Sequence, residues 1–184
     1  MAKREHPKTL AIRTLLKFGI EFEVHSYAYE PRGGTSVSSL ALGVDERSVI
    51  KTLIMETDSK APLIMLMHGD NEVSVKQLAR VLNVKSVRPC EPKVADRHSG
   101  YQVGGTSPFG TRKAMPVYME QSILDLEKIF INQCHDLYGR TCICLFTQHG
   151  HDLWCGHESG GCADSRPALL PLLPEIPSRP SWGI

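Results

Sequence analysis

Two apolar runs separated by a short polar segment are the feature that most constrains the fold of this chain. Residues 49–55 read Val-Ile-Lys-Thr-Leu-Ile-Met, and residues 62–67 read Pro-Leu-Ile-Met-Leu-Met. Runs of this length that are rich in β-branched and large apolar residues are typical of buried strands. The Asp-Ser-Lys sequence at 58–60 suits a turn. The two runs are therefore predicted to pair as a β-hairpin.

Helical and strand patterns alternate irregularly over the rest of the first 146 residues. Apolar spacing and capping residues predict helices at 8–18, 36–42, 74–82, 92–98 and 122–127, with a loop at 31–35 before the second. Gly43 and Gly100 are expected to end the helices that precede them, and Ser74, with Gln77 three residues later, is expected to cap the helix at 74–82. Alternation or β-branched content predicts strands at 20–28, 84–87, 115–119, 128–131 and 142–146. The predicted fold class is therefore mixed α/β (α+β), with one domain over residues 1–146.

Length and charge bound the class of protein. The chain has 184 residues and a formal net charge of +1, with 22% charged residues. One domain of this length buries a core without disulfides, and the charge balance excludes a broadly polybasic protein. The N-terminal residues hold no apolar signal-peptide core, and no apolar run approaches the length of a membrane span. The sequence therefore predicts a soluble, cytoplasmic protein without a membrane partner.

The stretch 100–113 is rich in glycine. It reads Gly-Tyr-Gln-Val-Gly-Gly-Thr-Ser-Pro-Phe-Gly-Thr-Arg-Lys, with four glycines, one proline and two terminal cations. Such a stretch is typical of a plain turn. It also suits a loop that presents several backbone N–H groups to one oxygen of a ligand. The pattern alone leaves both interpretations open.

Lys51 interrupts an apolar row. A period of two places it on one strand face with Val49, Leu53 and Met55. Burying a lysine among apolar side chains is costly unless the ammonium has a partner. One interpretation is an edge-strand lysine whose ammonium reaches water. The other is a cavity lysine that binds an anion or polarises a substrate.

Two tyrosines flank the same candidate region. Tyr27 follows His25 near the end of the first predicted strand. It is either a rim aromatic with its hydroxyl in water or a residue over the Lys51 cavity that donates to a ligand. Tyr101 is predicted to be a packing residue beside the glycines.

Six cations lie near the glycine-rich stretch in sequence, and they are either a phosphate-binding rim or a solvated surface. They are Lys85, Arg88, Lys93, Arg97, Arg112 and Lys113.

Residues 147–184 differ from the rest of the chain. Cysteines and histidines between 134 and 162 raise the possibility of a structural zinc site, although Cys142-x-Cys144 and His149-x-His151 are spaced more tightly than usual. Prolines at 167, 171, 174, 177 and 180 indicate an extended or disordered tail. A genuine extension, a metal-binding addition and a frame-shifted translation all fit this composition.

Three features together resemble the YbaK/EbsC family of free-standing aminoacyl-tRNA deacylases, which is related to the editing insertion of bacterial prolyl-tRNA synthetases. The first is His25-Ser26-Tyr27 after a helix and a strand. The second is Val-Ile-Lys-Thr-Leu at 49–53. The third is the segment 100–110, which contains Gly-x-x-Pro-x-Gly from Gly105 to Gly110. The resemblance covers about residues 7–132.

The resemblance implies a fold and an activity. The fold is a single domain with a curved mixed sheet that forms a small pocket and is flanked by helices. The activity is removal of a wrong amino acid from tRNA, with Cys-tRNA(Pro) as the expected substrate and Cys-tRNA(Cys) as a further one. Proline and cysteine are close in size, so a synthetase pocket separates them poorly. A deacylase for Ala-tRNA(Pro) and a non-catalytic module that binds tRNA or synthetase stay open as alternatives.

The resemblance also assigns roles to residues. The substrate's own thiol attacks the ester carbonyl, so the enzyme orients the substrate and stabilises charge. Lys51 contacts the terminal adenosine or its phosphate, and Tyr27 lines the pocket. No metal or other cofactor is expected, Cys90 is not expected to be a nucleophile, and prolyl-tRNA synthetase is a possible partner. The oligomeric state is left open.

Two further groups complete the expected site. The loop is expected to hold the aminoacyl carbonyl through backbone N–H groups; its residues are Gly104, Gly105, Thr106, Ser107, Pro108, Phe109 and Gly110. The candidate tRNA contacts are Arg97, Arg112 and Lys113.

Overall fold

The computed structural model describes residues 9–28, 30, 33–102, 104–135 and 140–147. Four α-helices lie within these ranges: α1 Leu10–Lys17, α2 Gly34–Leu42, α3 Val75–Val81 and α4 Pro92–Ser99. Two 3₁₀ turns lie at Glu46–Ser48 and Gln121–Asp125. The strands are β1 Glu23–Ala28, β2 Val49–Thr57, β3 Pro62–His68, β4 Val87–Pro89, β5 Val117–Met119, β6 Lys128–His135 and β7 Arg140–Thr147.

The seven strands form one mixed sheet in the order β1-β7-β6-β2-β3-β5, and β4 pairs with β2 beside this path. The predicted hairpin is confirmed, since β2 and β3 are antiparallel from Ile50↔His68 to Glu56↔Pro62. Parallel pairs join β2 to β6 and β3 to β5. The predicted mixed α/β class with a single sheet is therefore confirmed.

One face of the sheet packs on α1 and α4. Alternate residues of β2 and β3 supply Ile50, Ile54, Ile64 and Leu66 to a core that also holds Ile12, Leu15 and Ala95. The amphipathic pattern of α1 is confirmed, because Ala11, Ile12 and Leu15 are buried. Each fully buried large aliphatic side chain contributes about 1.5–3 kcal/mol of transfer free energy.

The opposite face carries the intervening residues. One cluster is formed by Met55, Met65, Met67 and Leu78 with further apolar neighbours. Another is formed by Val49, Phe130 and Ile143, with Tyr27 packed against it. Lys51 lies along β2 between the residues of these two clusters.

Several predicted element boundaries shift for local reasons. Strand β1 begins only at Glu23, although Ile20 and Phe22 before it pack on the core. Helix α2 begins at Gly34, so Thr35 lies in the helix and not in the predicted loop. The strand predicted at 84–87 is β4 at Val87–Pro89, because a left-handed Asn83 follows α3.

Glycines end two helices as predicted, and Ser74 is the N-cap residue of α3 as predicted, but the capping-box hydrogen bonds do not form. Gly43 and Gly100 take left-handed backbone angles, with φ of 66° and 79°, after α2 and α4. Ser74 occupies the N-cap position of α3, but its side chain makes no capping hydrogen bond. Gln77, the expected partner in a capping box, has a buried Oε1 that also lacks a hydrogen-bond partner.

A buried polar cluster closes the end of β3. His68 Nδ1 donates to the Arg47 carbonyl at 2.6 Å, and His68 Nε2 lies 2.9 Å from Ser122 Oγ. Ser122 Oγ donates to Glu120 Oε2 at 2.6 Å and accepts from Arg47 Nη2 at 2.9 Å. The cluster therefore ties β3 to both 3₁₀ turns. Among the described helices, none has the length and apolar character that crossing a membrane requires.

Candidate active site around Lys51

Lys51 lies on a central strand. Its strand β2 has β3 on one side and β6 on the other, so the edge-strand interpretation of Lys51 is wrong. The side chain is only partly exposed and shares its sheet face with the apolar neighbours Val49 and Met55. An ammonium in this position cannot reach water as freely as a lysine on an outer strand.

The Lys51 ammonium is held by a backbone carbonyl. Its Nζ donates to the carbonyl oxygen of Gly69 at 3.1 Å. Burial lowers the pKa of Lys51 from the ordinary value of 10.5, and the attraction of Glu72, Glu46 and Asp70 offsets part of this effect. None of these three described carboxylates comes within 4.0 Å of the ammonium to form an ion pair. The charge is therefore oriented by a neutral group and surrounded by acids at longer range.

Three residues with no predicted role build this environment. Thr35 Oγ1 donates to Glu46 Oε1 at 2.6 Å and lies 3.3 Å from the Gly69 carbonyl. A Cβ at Gly69 would lie 2.6 Å from the Glu46 carbonyl and 2.8 Å from Thr35 Oγ1. The turn after β3 therefore packs directly against the start of α2 and the first 3₁₀ turn.

Tyr27 lies on the same face of the sheet as Lys51. Its hydroxyl is 2.5 Å from Ser38 Oγ and 3.2 Å from Asn132 Oδ1, and Ser38 Oγ in turn lies 3.2 Å from the Gly34 carbonyl. The hydroxyl therefore has protein partners and not only the water that a rim position predicts. These contacts join β1, α2 and β6. Neither Ser38 nor Asn132 was predicted, because their separation from Tyr27 in sequence gives no local signal.

The glycine-rich stretch forms a turn with buried polar side chains. Thr106 is 8% exposed and Ser107 is 0% exposed. Gly105 N donates to the Gln102 carbonyl at 3.1 Å, and Phe109 N donates to Ser107 Oγ at 3.2 Å. Two of the N–H groups expected to serve a ligand are thus bonded within the loop. Pro108 is partly exposed, and Gly104 takes a φ of 99°.

Contacts of this turn lead toward α1. A Cβ at Gly110 would lie 2.7 Å from Thr14 Oγ1 and 2.8 Å from the Leu10 carbonyl. Tyr101 is 7% exposed and donates from its hydroxyl to the Phe109 carbonyl at 2.6 Å, which confirms its predicted packing role. Because α1 packs on the sheet face opposite to Lys51, these contacts do not by themselves join the loop to Lys51. Its role as a carbonyl-binding loop stays a prediction.

The candidate tRNA contacts lie close together. Arg112 N donates to the Ser99 carbonyl at 3.0 Å and Lys113 N to the His98 carbonyl at 2.9 Å, so 112–113 runs beside the end of α4. Burial lowers the pKa of His98, and the positive charges of Lys113 and Arg97 nearby lower it further. Arg97, Arg112 and Lys113 are all exposed.

The other three cations of the predicted rim do not join this cluster through a described contact. Arg88 pairs with Glu56 at 2.8 Å on β2, while Lys85 and Lys93 are exposed. The rim is therefore divided, with one part engaged in an ion pair.

The cysteines give no sign of a nucleophile in the described part of the chain. Burial raises the pKa of the Cys90 thiol, which disfavours the reactive thiolate. Cys144 is buried in the core. The predicted zinc ligands fall largely outside the described residues, and within the described residues no group of three or more candidate ligands could hold a metal ion.

Comparisons with known proteins agree with this fold. Residues 34–138 match the aminoacyl-tRNA editing domain family. The chain is 26% identical over 132 residues to EbsC of Enterococcus faecalis, which is provisionally named a Cys-tRNA(Pro)/Cys-tRNA(Cys) deacylase; the match covers 71% of this chain and 80% of that protein. A proline–tRNA ligase of Thermodesulfovibrio yellowstonii is 30% identical over 110 residues, which cover 60% of this chain and 18% of the ligase.

A solved structure shares the fold. It belongs to a protein provisionally described as a trans-editing enzyme for prolyl tRNA synthetase. The TM-score is 0.62 at 15% sequence identity, over 76% of this chain and 85% of that chain. An identity this low shows the arrangement of the chain and nothing finer.

A mixed sheet with a half-buried lysine, in a sequence that matches an editing domain over residues 34–138, defines a protein that acts on aminoacyl-tRNA. The chain belongs to the aminoacyl-tRNA editing domain family. It is an aminoacyl-tRNA deacylase of the YbaK/EbsC type.

Proposed function

We propose that this protein clears Cys-tRNA(Pro) after a synthetase has attached the wrong amino acid. The observation that carries the proposal is the half-buried Lys51 ammonium, which is oriented by the Gly69 carbonyl and makes no ion pair with a described carboxylate. A desolvated cation of this kind attracts an anionic group more strongly than a cation in water does. The provisional name of the E. faecalis relative supports the choice of the cysteinyl ester.

The proposed chemistry needs no protein nucleophile. The substrate thiol attacks its own ester carbonyl, so a sulfur–carbon bond forms and the ester carbon–oxygen bond breaks. The proton lost by the thiol goes to the departing ribose oxygen, and the products are a cyclic thiolactone and free tRNA. The protein's part is to hold the thiol against the carbonyl and to stabilise negative charge that develops on oxygen.

Residue roles follow from this chemistry. Lys51 contacts the phosphate or terminal adenosine of the tRNA and secondarily stabilises developing charge. The loop Gly105 to Gly110 holds the aminoacyl carbonyl, and Tyr27 lines the pocket. Since Gly105 N and Phe109 N are bonded within the loop, substrate must either displace these bonds or use other N–H groups of the loop.

Binding of the tRNA body is proposed at the cationic cluster beside α4. Arg97, Arg112 and Lys113 are exposed there, and phosphate contacts by such side chains supply affinity without base specificity. Selection of tRNA(Pro) then comes from association with prolyl-tRNA synthetase, which the resemblance to part of that enzyme's sequence supports.

A deacylation panel tests the proposal. Cys-, Ala- and Pro-tRNA(Pro) are incubated with the purified protein, with Lys51→Met, and with Lys128→Ala as a surface-lysine control. We expect rapid loss of the cysteinyl ester alone, abolished in Lys51→Met and retained in Lys128→Ala. Equal rates on Ala-tRNA(Pro) would show that the ester is cleaved by general hydrolysis and not by attack of the substrate thiol. Full activity of Lys51→Met would refute the assignment of Lys51.

A further inference from the structure

Three acidic residues surround the Lys51 ammonium without pairing with it. Glu72, Glu46 and Asp70 all act on it electrostatically, yet among the described residues its one direct partner is the Gly69 carbonyl. A lysine that closed an ion pair with one of these carboxylates would present less net positive charge to an anionic ligand. For one of these acids, Glu46, the structure shows a contact that holds its carboxylate.

Glu46 is restrained by a hydroxyl. Its Oε1 accepts from Thr35 Oγ1 at 2.6 Å, which is a short hydrogen bond to a charged acceptor. Such bonds are roughly twice as strong as neutral ones. Glu46 also sits in the 3₁₀ turn directly before β2, so its backbone is fixed five residues from Lys51. The orientation of its carboxylate then depends mainly on Thr35.

Gly69 completes the arrangement. Its carbonyl lies 3.1 Å from Lys51 Nζ and 3.3 Å from Thr35 Oγ1. Because a Cβ at Gly69 would lie 2.6 Å from the Glu46 carbonyl, the three segments meet without spare room. Thr35 therefore contacts the Gly69 carbonyl, which is the partner of Lys51. It also contacts the Glu46 carboxylate, which could otherwise compete for the ammonium.

We propose that Thr35 is a positioning residue that holds the Glu46 carboxylate away from Lys51, so that the ammonium stays unpaired and available to the anionic group of the aminoacyl-tRNA. The proposal rests on the proposed role of Lys51. Thr35 itself touches neither the substrate nor the reacting atoms. Its hydroxyl matters because it occupies the carboxylate oxygen that would otherwise turn toward the ammonium.

Four variants test this inference. Thr35→Val keeps the shape and removes the hydroxyl, while Thr35→Ser keeps the hydroxyl. We expect kcat/KM for Cys-tRNA(Pro) to fall about tenfold or more in Thr35→Val and to stay near wild type in Thr35→Ser. Glu46→Gln alone should be nearly neutral, and Thr35→Val combined with Glu46→Gln should recover most of the lost activity.

A second readout does not depend on catalysis. Titration of the Lys51 side chain, followed by NMR of isotopically labelled lysine and assigned with Lys51→Met, should show a higher Lys51 pKa in Thr35→Val than in wild type. The rise should disappear in the double variant, since a new Glu46 ion pair is its cause. A purely structural role for Thr35 would lower thermal stability without this reversible change.

The outcomes separate the two proposals. Loss of activity without recovery in the double variant, or an unchanged Lys51 titration in Thr35→Val, would overturn the role of Thr35. If Lys51→Met stays active, the proposed function fails, while the titration still decides whether Thr35 restrains Glu46. Should Thr35→Val not fold, Thr35→Ala carries the same expectations, because it also removes the hydroxyl.

Discussion

His68 Nε2 lies 2.8 Å from Glu120 Oε2, and the two side chains are 0% and 6% exposed. His68 ends β3 and Glu120 directly follows β5. The contact therefore links the ends of these two parallel strands. The His68 Nδ1–H is already committed to the Arg47 carbonyl. The remaining ring nitrogen therefore faces the carboxylate and Ser122 Oγ.

Removing His68 should be strongly destabilising. In His68→Ala the buried Glu120 carboxylate and the Arg47 carbonyl both lose a hydrogen-bond partner. Each buried group left unsatisfied costs about 1–3 kcal/mol. Urea unfolding measures the loss, with His98→Ala at a partly exposed histidine as a control that should change stability by less than about 1 kcal/mol. A loss below about 1 kcal/mol in His68→Ala would mean that the backbone N–H and hydroxyl of Ser122 suffice to satisfy Glu120.

The burial of Lys51 should make stability depend on pH. Its folded-state pKa lies below 10.5, so between that lowered value and 10.5 the unfolded chain binds more protons at this side chain than the folded chain. The unfolding free energy of the wild type should therefore rise with pH through this window, relative to Lys51→Met. Denaturant titrations of both proteins from neutral pH to pH 10.5 measure the difference. A difference that stays constant with pH would contradict the lowered pKa.

Two glycines with the same backbone angle allow a matched test of packing. Gly110 and Gly43 both have a φ of 66°, but a Cβ at Gly43 meets nothing within 4 Å, whereas at Gly110 it meets α1 within 3 Å. Gly43→Ala should cost about 1 kcal/mol from backbone strain alone. Gly110→Ala should cost about 1–3 kcal/mol more, because the added carbon forces the loop away from α1. Equal costs by urea unfolding would show that the loop moves freely.

The cationic cluster should be visible in the salt dependence of tRNA binding. Each of Arg112→Ala and Lys113→Ala should weaken binding and lower the slope of log K against log salt by roughly 0.7–0.9, as expected for one lost phosphate contact. Lys76→Ala on α3 is the control, since Lys76 is exposed and lies outside the cluster. Filter binding over a range of salt concentrations measures the slopes. Identical slopes for all three variants would mean that the tRNA does not contact the cationic cluster beside α4.

Local sequence patterns predicted the secondary structure that carries the site, but not the side-chain contacts within it. The hairpin, Lys51 and the glycine stops of α2 and α4 were predictable because their signals lie within a few neighbouring residues. The Thr35–Gly69 and Tyr27–Asn132 contacts join residues 34 and 105 positions apart, and no short-range pattern encodes them. His68 was missed because its burial follows from the position of β5 beside β3 and not from its own neighbours in sequence.

The place of β1 in the sheet has a consequence for the order of folding. Among the described strands, β1 pairs with β7 alone, with Tyr27 opposite Thr141. Strands that are this far apart in sequence pair slowly, because the chain loses the entropy of closing the intervening loop before the stabilising contacts form. During synthesis β1 leaves the ribosome long before its partner does. The hairpin of β2 and β3 can therefore form early, whereas Tyr27 takes its place only after nearly the whole described chain has been made.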